Sequence, residues 1–489
     1  MSIRRALLLL SLACVAIECG AGSSGIVVND FGDAGSGNCT TTCTLRDAIA
    51  VALTSVPPKS VVFSGTAVWP QTITLTQGQL VVNNTSASTF SIIGPDAAKL
   101  AVSANNLSRV LQVSGGSNAI SSLTLREGKT TGTSPGNAFN GTGGNGQGGG
   151  SALGGCILVD ATATLAIIAS DIRNCVALGG TGGNGGSGDT SGSGGPGGSG
   201  GDGGAALGGG IYVAGNLSLV QSDVVITSAT GGPGGKGGDG GLSAFGAGAG
   251  GNAGPGGSAA GAGIAIAGGG GLLIRNTTLA SAAANGGNGG NGGNGGVFTV
   301  SGNGANGGNV RGGLLYSASG VVLADLEFAT LFHGSTAAGA GGAPGATGVT
   351  IGSGGLSGTA LGTGIYADPP LYVIASSSIV TGMSGGNSCY GAVTIDPGSA
   401  NLDQDGSCSG FTLHDPLVQV LAPLALEATS WPGYQPVYHS SIIDAATGCS
   451  RIGGAIAIGN DQHGTQRPLG TQCDLGAIES DYVFADGFN

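Results

Sequence analysis

Charge is scarce in this 489-residue chain: 14 Lys and Arg face 26 Asp and Glu, for a formal net charge of −12. A surface so poor in cations excludes nucleic acid as a partner, because counterion-driven binding needs Lys and Arg. Aromatic residues make up only 4% of the chain, and 2 Met and 2 Trp are present. Low charge beside 40% hydrophobic residues excludes a disordered polyelectrolyte, which stays solvated by having the opposite balance. Proline, at 17 residues, is too sparse for a collagen triple helix, and the glycine excess is local. No segment beyond the N-terminus reaches the length and purity of a membrane helix. There is no Cys-x-x-Cys, and His333, His414, His439 and His463 do not cluster with the cysteines, which argues against zinc.

Glycine is what the chain has instead: 107 residues, about 22% against a usual share of roughly 7%. Ahead of the glycine-rich part, Arg4 and Arg5 precede an apolar run from Ala6 to Ile17 and small residues from Gly20 to Gly25. That order predicts a signal peptide over 1–21 and export. Cys14 follows Ser11-Leu12-Ala13, a weak likeness to a lipoprotein box that lacks its usual Leu, so plain secretion is preferred. Setting aside Cys14 and Cys19 leaves eight cysteines, an even number suited to an oxidising compartment. They fall into local pairs: Cys39 with Cys43, Cys156 with Cys175, Cys389 with Cys408, and Cys449 with Cys473. Nearest-neighbour bonding is one of 105 possible connectivities.

Five passages read alike, each a Gly-containing corner followed by an apolar anchor. The anchors are Ile157, Ile211, Ile264, Leu314 and Ile365, about 50 residues apart. Two further short apolar stretches follow each anchor, such as Leu217-Ser218-Leu219-Val220 and Val224-Val225-Ile226. Three short strands per unit in fixed order predict one coil of a right-handed parallel β-helix, all-β, of roughly ten coils. Cys156 and Cys175 then lie at the start and end of one coil, and a bond between them would close one turn.

Each coil carries a Gly-Gly-X insert at the same place, as in 179–204, 231–241 and 286–296. A period of three fits neither helix nor strand and matches a polyproline-II-type helix. Stacked extended arms along one edge are one expectation; mobile loops fit the composition equally well.

Asn38-Cys39-Thr40-Thr41-Thr42-Cys43-Thr44-Leu45-Arg46-Asp47-Ala48-Ile49 resembles the CSLREA domain, and the stretch from Ile92 to Leu125 resembles the first coils that follow that domain in exported β-helix proteins. Asn401-Leu402-Asp403-Gln404-Asp405-Gly406-Ser407-Cys408, Ile443-Asp444-Ala445, Asp461-Gln462-His463-Gly464, Arg467-Pro468 and Cys473-Asp474-Leu475-Gly476-Ala477-Ile478-Glu479 resemble the choice-of-anchor Q domain. The central coils resemble the Gly-Gly-Ile-Tyr units of polymorphic outer-membrane proteins. The resemblance implies export from a bacterium, a β-helix and surface association. It implies no particular reaction. The chain therefore divides into a leader (1–21), a cap with the first coils (26–135), repeats with inserts (136–388), a C-terminal region (389–480) and an acidic aromatic tail (481–489).

Polysaccharide lyases and hydrolases need clustered carboxylates or a cation site with a base. No adjacent Asp pair occurs, and the best cluster is Asp160, Asp171 and Arg173 with Asp325 and Glu327 three coils on. No catalytic residue and no cofactor is assigned on that basis. Asn401, Asp403 and Asp405 match calcium-ligating positions of an EF-hand loop, but Thr412 replaces the bidentate Glu, so a plain Asp-Gly turn is preferred to a weak calcium site. Gly197 to Asp202 and Gly234 to Asp239 match the start of a calcium-binding nonapeptide without its apolar residue. The expected function is non-enzymatic: a surface adhesin, or a structural protein of the envelope or matrix, meeting an extracellular glycan or a surface protein. A polysaccharide-active enzyme is the alternative, and a passive surface-layer or ice-facing scaffold a third class.

Overall fold

The computed structural model describes residues 25–57, 59–141, 143–370, 372–413, 420–422, 434–437, 440–454 and 456–480. The expected signal peptide, Cys14, Cys19, His414, His439 and the tail lie outside them.

Consecutive parallel pairings build one large sheet that winds along the molecule. A single ladder passes through Ile26, Val61, Ile92, Ile120, Ile167, Leu219, Ile274, Leu326, Ala375 and Ile395, ten rungs in register. Rungs at about 4.8 Å make a rod some 45 Å long. The chain is an all-β, right-handed parallel β-helix, the hand expected of parallel strands joined within one sheet. Its core is the stack of inward aliphatics, for example Leu165, Leu217 and Leu272, all buried.

The corner ahead of each anchor explains the recurring glycine. Gly154, Gly208, Gly261, Gly312 and Gly362 all have φ between +54° and +66°, in the left-handed region. A Cβ at Gly154 would lie 2.0 Å from the Ile157 carbonyl oxygen, so a side chain has no room. The register corrects one anchor: Leu315, not Leu314, pairs with Ile264 and Ile365, because Gly312 takes the left-handed position and Leu314 falls where Gly263 and Gly364 stand. A fourth, two-residue ladder also precedes each corner, running Ala152, Ala206, Ala259, Val310 and Ala360. Its alanines are too small to register as an apolar stretch in the sequence.

At the opposite corner Ser170, Ser222 and Thr277 form a hydroxyl ladder, and beyond them Ser378 Oγ accepts from Ala329 N–H. Ser170 N–H donates to Ser222 Oγ and Ser222 N–H to Thr277 Oγ1, each at 3.3 Å. These bonds satisfy corner amides that burial would otherwise penalise.

A helix packs against the N-terminal coils. Thr44 opens the helix Leu45–Thr54, which buries Leu45, Ala48, Ile49 and Ala52 against the first coils. Arg46 grips Asp33 through Nε and Nη2 at 3.0 and 3.1 Å and donates to the Gly78 carbonyl at 2.7 Å. Residues 389–413 of the C-terminal region still pair as the last rungs, and the part from 440 on leaves the ladders. It lies along the flank of the rod: Gln221 donates to Asp461 O, Asn276 to Asn460 O, Ile452 N–H to Glu327, and Ala477 N–H to Thr330. The cause is an outward apolar strip, Val225, Ala280, Phe328 and Ile379, which Ile442, Ile458 and Leu475 cover.

All four expected disulfides form: Cys39–Cys43, Cys156–Cys175, Cys389–Cys408 and Cys449–Cys473. Cys156 and Cys175 close one coil, their Cα atoms 5.3 Å apart. No helix of the described residues is long and apolar enough to cross a membrane.

Candidate functional site

The inserts form an extended, hydrogen-bonded surface. Five leave successive coils over 132–151, 179–205, 231–258, 286–309 and 338–359, each running out and back. In the third insert Gly232, Gly235, Gly238 and Gly241 donate to Gly204, Gly201, Gly198 and Gly195 of the preceding returning arm, all at 2.8 Å. The glycine before each donates onward: Gly231, Gly234, Gly237 and Gly240 bond Asn285, Asn288, Asn291 and Asn294 at 2.8–2.9 Å. Donors repeat every third residue, so each glycine of a triplet serves a different neighbour, the packing of a polyglycine-II-type lattice. A Cβ at Gly235 would sit 2.1 Å from the Gly183 carbonyl oxygen and one at Gly234 1.9 Å from that of Gly254. This proximity requires glycine at both positions.

The third residue of the triplet explains the asparagines. Its amide is left over by the lattice, and an Asn side chain one coil earlier takes it. Asn288, Asn291 and Asn294 accept from Ala340, Ala343 and Ala346 at 2.9–3.0 Å. On the returning arms Asn303, Asn306 and Asn309 accept from Ser353, Leu356 and Thr359 at 2.8 Å. Asp239, one of the nonapeptide-like aspartates, does the same for Asn294 N–H. The product is a two-layered slab whose exposed faces carry columns of Asn, Ala, Ser and Thr.

The candidate carboxylates do not gather. Asp160 accepts from Gln112 Nε2 at 2.7 Å on another ladder. Asp171 pairs with Arg173 at 3.1 Å, and Glu327 is tied to Arg275 at 2.5 Å beneath the C-terminal region. Asp325 is buried. They scatter because ladder register separates them and the flank segment covers Glu327. Asp171 instead neighbours a residue the sequence reading passed over, Asp223, on the next rung. Burial pushes Asp171 up to about 6 against the pull of Arg173 and Arg126. Burial, then the charge of Asp171, raises Asp223 well above the usual carboxylate range, against a hydrogen bond from Gln462. The aligned spacing of Asp171 and Asp223 within their repeats was the signal available.

Asn401, Asp403 and Asp405 shape a turn. Asn401 Oδ1 accepts from Ser378 N–H, Asp403 Oδ2 from Cys408 N–H, and Asp405 Oδ2 from Ser388 N–H at 2.7 Å. Among the described residues no group of three or more His, Cys, Asp or Glu is placed to hold a metal ion.

Two polar features remain. Tyr316, Tyr366 and Tyr390 stack on consecutive rungs, ring centroids 5.8 and 5.2 Å apart, with the Arg311 guanidinium 5.4 Å from the Tyr366 ring. Tyr316 donates to Asp368 at 3.0 Å; burial, and then Asp368, push its hydroxyl up to about 12. A cleft of about 480 Å³ opens between the last coils and the C-terminal region, lined by Ser376, Ser377, Ser399, Thr447 and a single carboxylate, Asp396.

The fold and surfaces define the class, a parallel β-helix bearing a glycine-lattice slab. The sequence matches no protein-family model and no curated protein. Among solved structures it is similar to the pectate lyase Pel9A, with 12% identity over 94% of this chain and 98% of that one, at a TM-score of 0.32. It is also similar to a springtail antifreeze protein from Granisotoma rainieri, a nine polyproline type II helical bundle. That match has 20% identity over 47% of this chain and 94% of the other, at a TM-score of 0.16.

Proposed function

We propose that this is an exported, non-enzymatic protein of the bacterial surface, acting as an adhesin or as a structural element of envelope or matrix. The slab carries the reading. Five inserts are knitted into a rigid lattice with two broad faces, an arrangement suited to display and contact. The CSLREA-like and choice-of-anchor Q-like stretches support surface association, and four disulfides support residence in an oxidising compartment.

The polysaccharide-active alternative has less to stand on. Hydrolysis uses two carboxylates flanking the bond, whereas the cleft supplies Asp396 alone. Asp171, Asp223, Asp325 and Glu327 are buried, out of reach of a polymer. The test is incubation of the exported chain with a polysaccharide panel, with and without calcium, scoring new reducing ends, unsaturated products and co-sedimentation. Binding without product supports the adhesin. Product that disappears in Asp396→Asn or Asp171→Asn overturns the non-enzymatic reading, and neither binding nor product favours the structural role.

A further inference from the structure

Asn-Gly is the dipeptide in which deamidation runs fastest, because glycine leaves the following amide nitrogen unhindered. Nine such pairs occur in the chain, all in the inserts except Asn285-Gly286, which stands at the base of one. In seven of them the two residues hold both backbone groups of a single residue on the next coil. Asn288 Oδ1 accepts from Ala340 N–H at 3.0 Å while Gly289 N–H donates to Ala340 O at 2.9 Å. Asn291-Gly292 grips Ala343 in this way, Asn303-Gly304 grips Ser353, and Asn306-Gly307 grips Leu356. Asn140-Gly141, Asn145-Gly146 and Asn184-Gly185 hold Ser187, Ser199 and Lys236. In Asn294-Gly295 the two bonds go to the neighbours Ala346 and Thr347.

We propose that these pairs are latent modification sites, which the clamp keeps from closing to a succinimide and which convert once an insert opens. In that reaction the glycine nitrogen gives up its proton and attacks the asparagine Cγ. The N–Cγ bond forms, the Cγ–Nδ2 bond breaks, and Nδ2 takes up a proton and leaves as ammonia. Water then opens the ring at either carbonyl, giving aspartate or isoaspartate. The clamp occupies both reacting groups: the glycine N–H is donated to a carbonyl, and the side-chain carbonyl is fixed by an amide one coil on. Burial is not the protector, since Asn184, Asn288, Asn291, Asn303 and Asn306 are exposed to water.

The fifth insert follows the same rule. It is the last layer, so no further insert offers an amide for a side chain to hold, and residues 338–359 contain no asparagine. Its corresponding places carry Ala340, Ala343, Ala346, Ser353, Leu356 and Thr359. The labile pair is present where the clamp closes and absent where it could not. The two products then part ways. Asp239-Gly240 already holds Asn294 through Oδ1 and the glycine N–H, so an aspartate keeps the clamp. Isoaspartate routes the main chain through the former side chain and lengthens it by one carbon, which breaks the period of three. An insert that opens and converts this way cannot rejoin the lattice, and the slab carries a permanent mark of having opened.

The test is incubation of the full exported chain at mildly alkaline pH, beside a free peptide of residues 286–296. Mass spectrometry scores deamidation and isoaspartate site by site. The clamped sites of the chain should convert at least about tenfold more slowly than the peptide, because only the opened fraction reacts. Gly235→Ala drives a methyl group against the Gly183 carbonyl oxygen and parts the second insert from the third. It should speed Asn184 at least about tenfold and leave Asn303 and Asn306, clamped between the fourth and fifth inserts, as slow as in the parent. Conversion of the clamped sites at the peptide rate in the parent overturns the proposal. So does an Asn184 that stays slow in Gly235→Ala while hydrogen exchange shows 179–205 open. If that variant does not fold, every site in it converts at the peptide rate, and the parent set against the peptide decides alone.

Discussion

Asp171 and Asp223 stand on consecutive rungs of one ladder, both buried, each with one carboxyl oxygen that meets no hydrogen-bond partner among the described residues. An unfolded aspartate releases its proton near pH 3.9, whereas folded Asp171 holds its proton to about 6 and Asp223 beyond the usual range. The folded state therefore binds more protons than the unfolded chain across that window, and its stability falls as pH rises through it. The melting temperature should be about 1–3 °C higher at pH 5 than at pH 7.5. Asp223→Asn should raise it at pH 7.5 and flatten the profile; Asp171 and Asp474, each pushed up to about 6 by burial, supply the remaining slope. Calorimetry across pH decides. A melting temperature that climbs steadily from pH 5 to 7.5 would remove the pair from this role.

The coil pattern was legible because it is repeated chemistry. A left-handed glycine, an aliphatic anchor and two short apolar stretches recur wherever a rung must be made. The disulfides were legible for the same reason, since coil closure brings nearby cysteines together. The lattice could be seen as a period of three, but its order could not: whether arms pack depends on neighbours some 50 residues away accepting each amide, as Gly204 does for Gly232. The flank position of the C-terminal region was hidden because Val225 and Ala280 look like ordinary core residues when the corner geometry is unknown. Tyr316 and Tyr366 did stand out within their repeats, and only register reveals that Tyr390 continues the stack.

The lattice makes a sharp distinction among glycines. Gly235→Ala places a methyl group 2.1 Å from a backbone oxygen with nowhere to move, so the arms on both sides must separate. Hydrogen exchange should lose protection over 179–205 and 231–258. Gly192→Ala at a tip, with φ +59° but no atom within 4 Å of the new methyl, should cost about 1 kcal/mol and leave the lattice protected. Asn184→Ala removes the acceptor of Lys236 N–H and should cost about 1 kcal/mol. Equal exchange in the first two variants would mean that the arms are not packed in solution.

The disulfides should rank by the loops they close. Cys156–Cys175 spans 19 residues and Cys39–Cys43 spans 4. Loop entropy gives about 3 kcal/mol for the first and about 2 for the second. Denaturant unfolding of Cys156→Ala/Cys175→Ala and Cys39→Ala/Cys43→Ala checks the order, and a larger loss from the short loop would contradict coil closure as the source.

Calcium should have little effect at the Asn401–Asp405 turn. One side-chain oxygen of each of the three already accepts from a backbone amide, and Asp405 is held below the usual carboxylate range, against its partial burial, by hydrogen bonds from Ser407 and Ser388. Adding calcium or a chelator should move the melting temperature by less than about 1 °C, while Asp405→Ala should loosen the Cys389–Cys408 turn. A saturable calcium-dependent rise that Asp403→Asn removes would establish a site.

The C-terminal region is fastened by one buried knot. Arg467 Nη1 meets Glu479 Oε2 at 2.7 Å, its Nη2 donates to Gly476 O at 2.7 Å, and its guanidinium lies 4.4 Å from the ring centroid of Phe328. Glu479 Oε1 also accepts from Leu469 N–H. Both side chains are almost fully buried, at 0% and 1% exposure. Removing one partner strands the other charge in the interior, a loss of about 3–5 kcal/mol. Arg467→Ala should therefore free residues 440–480 to protease while the coils keep their exchange protection, because the rod's own ladders do not pass through the knot. Arg467→Met with Glu479→Leu, which removes both charges and keeps the volume, should recover much of the loss. If Arg467→Ala leaves the segment resistant to cleavage, the apolar strip of Val225, Ala280, Phe328 and Ile379 holds it without the ion pair.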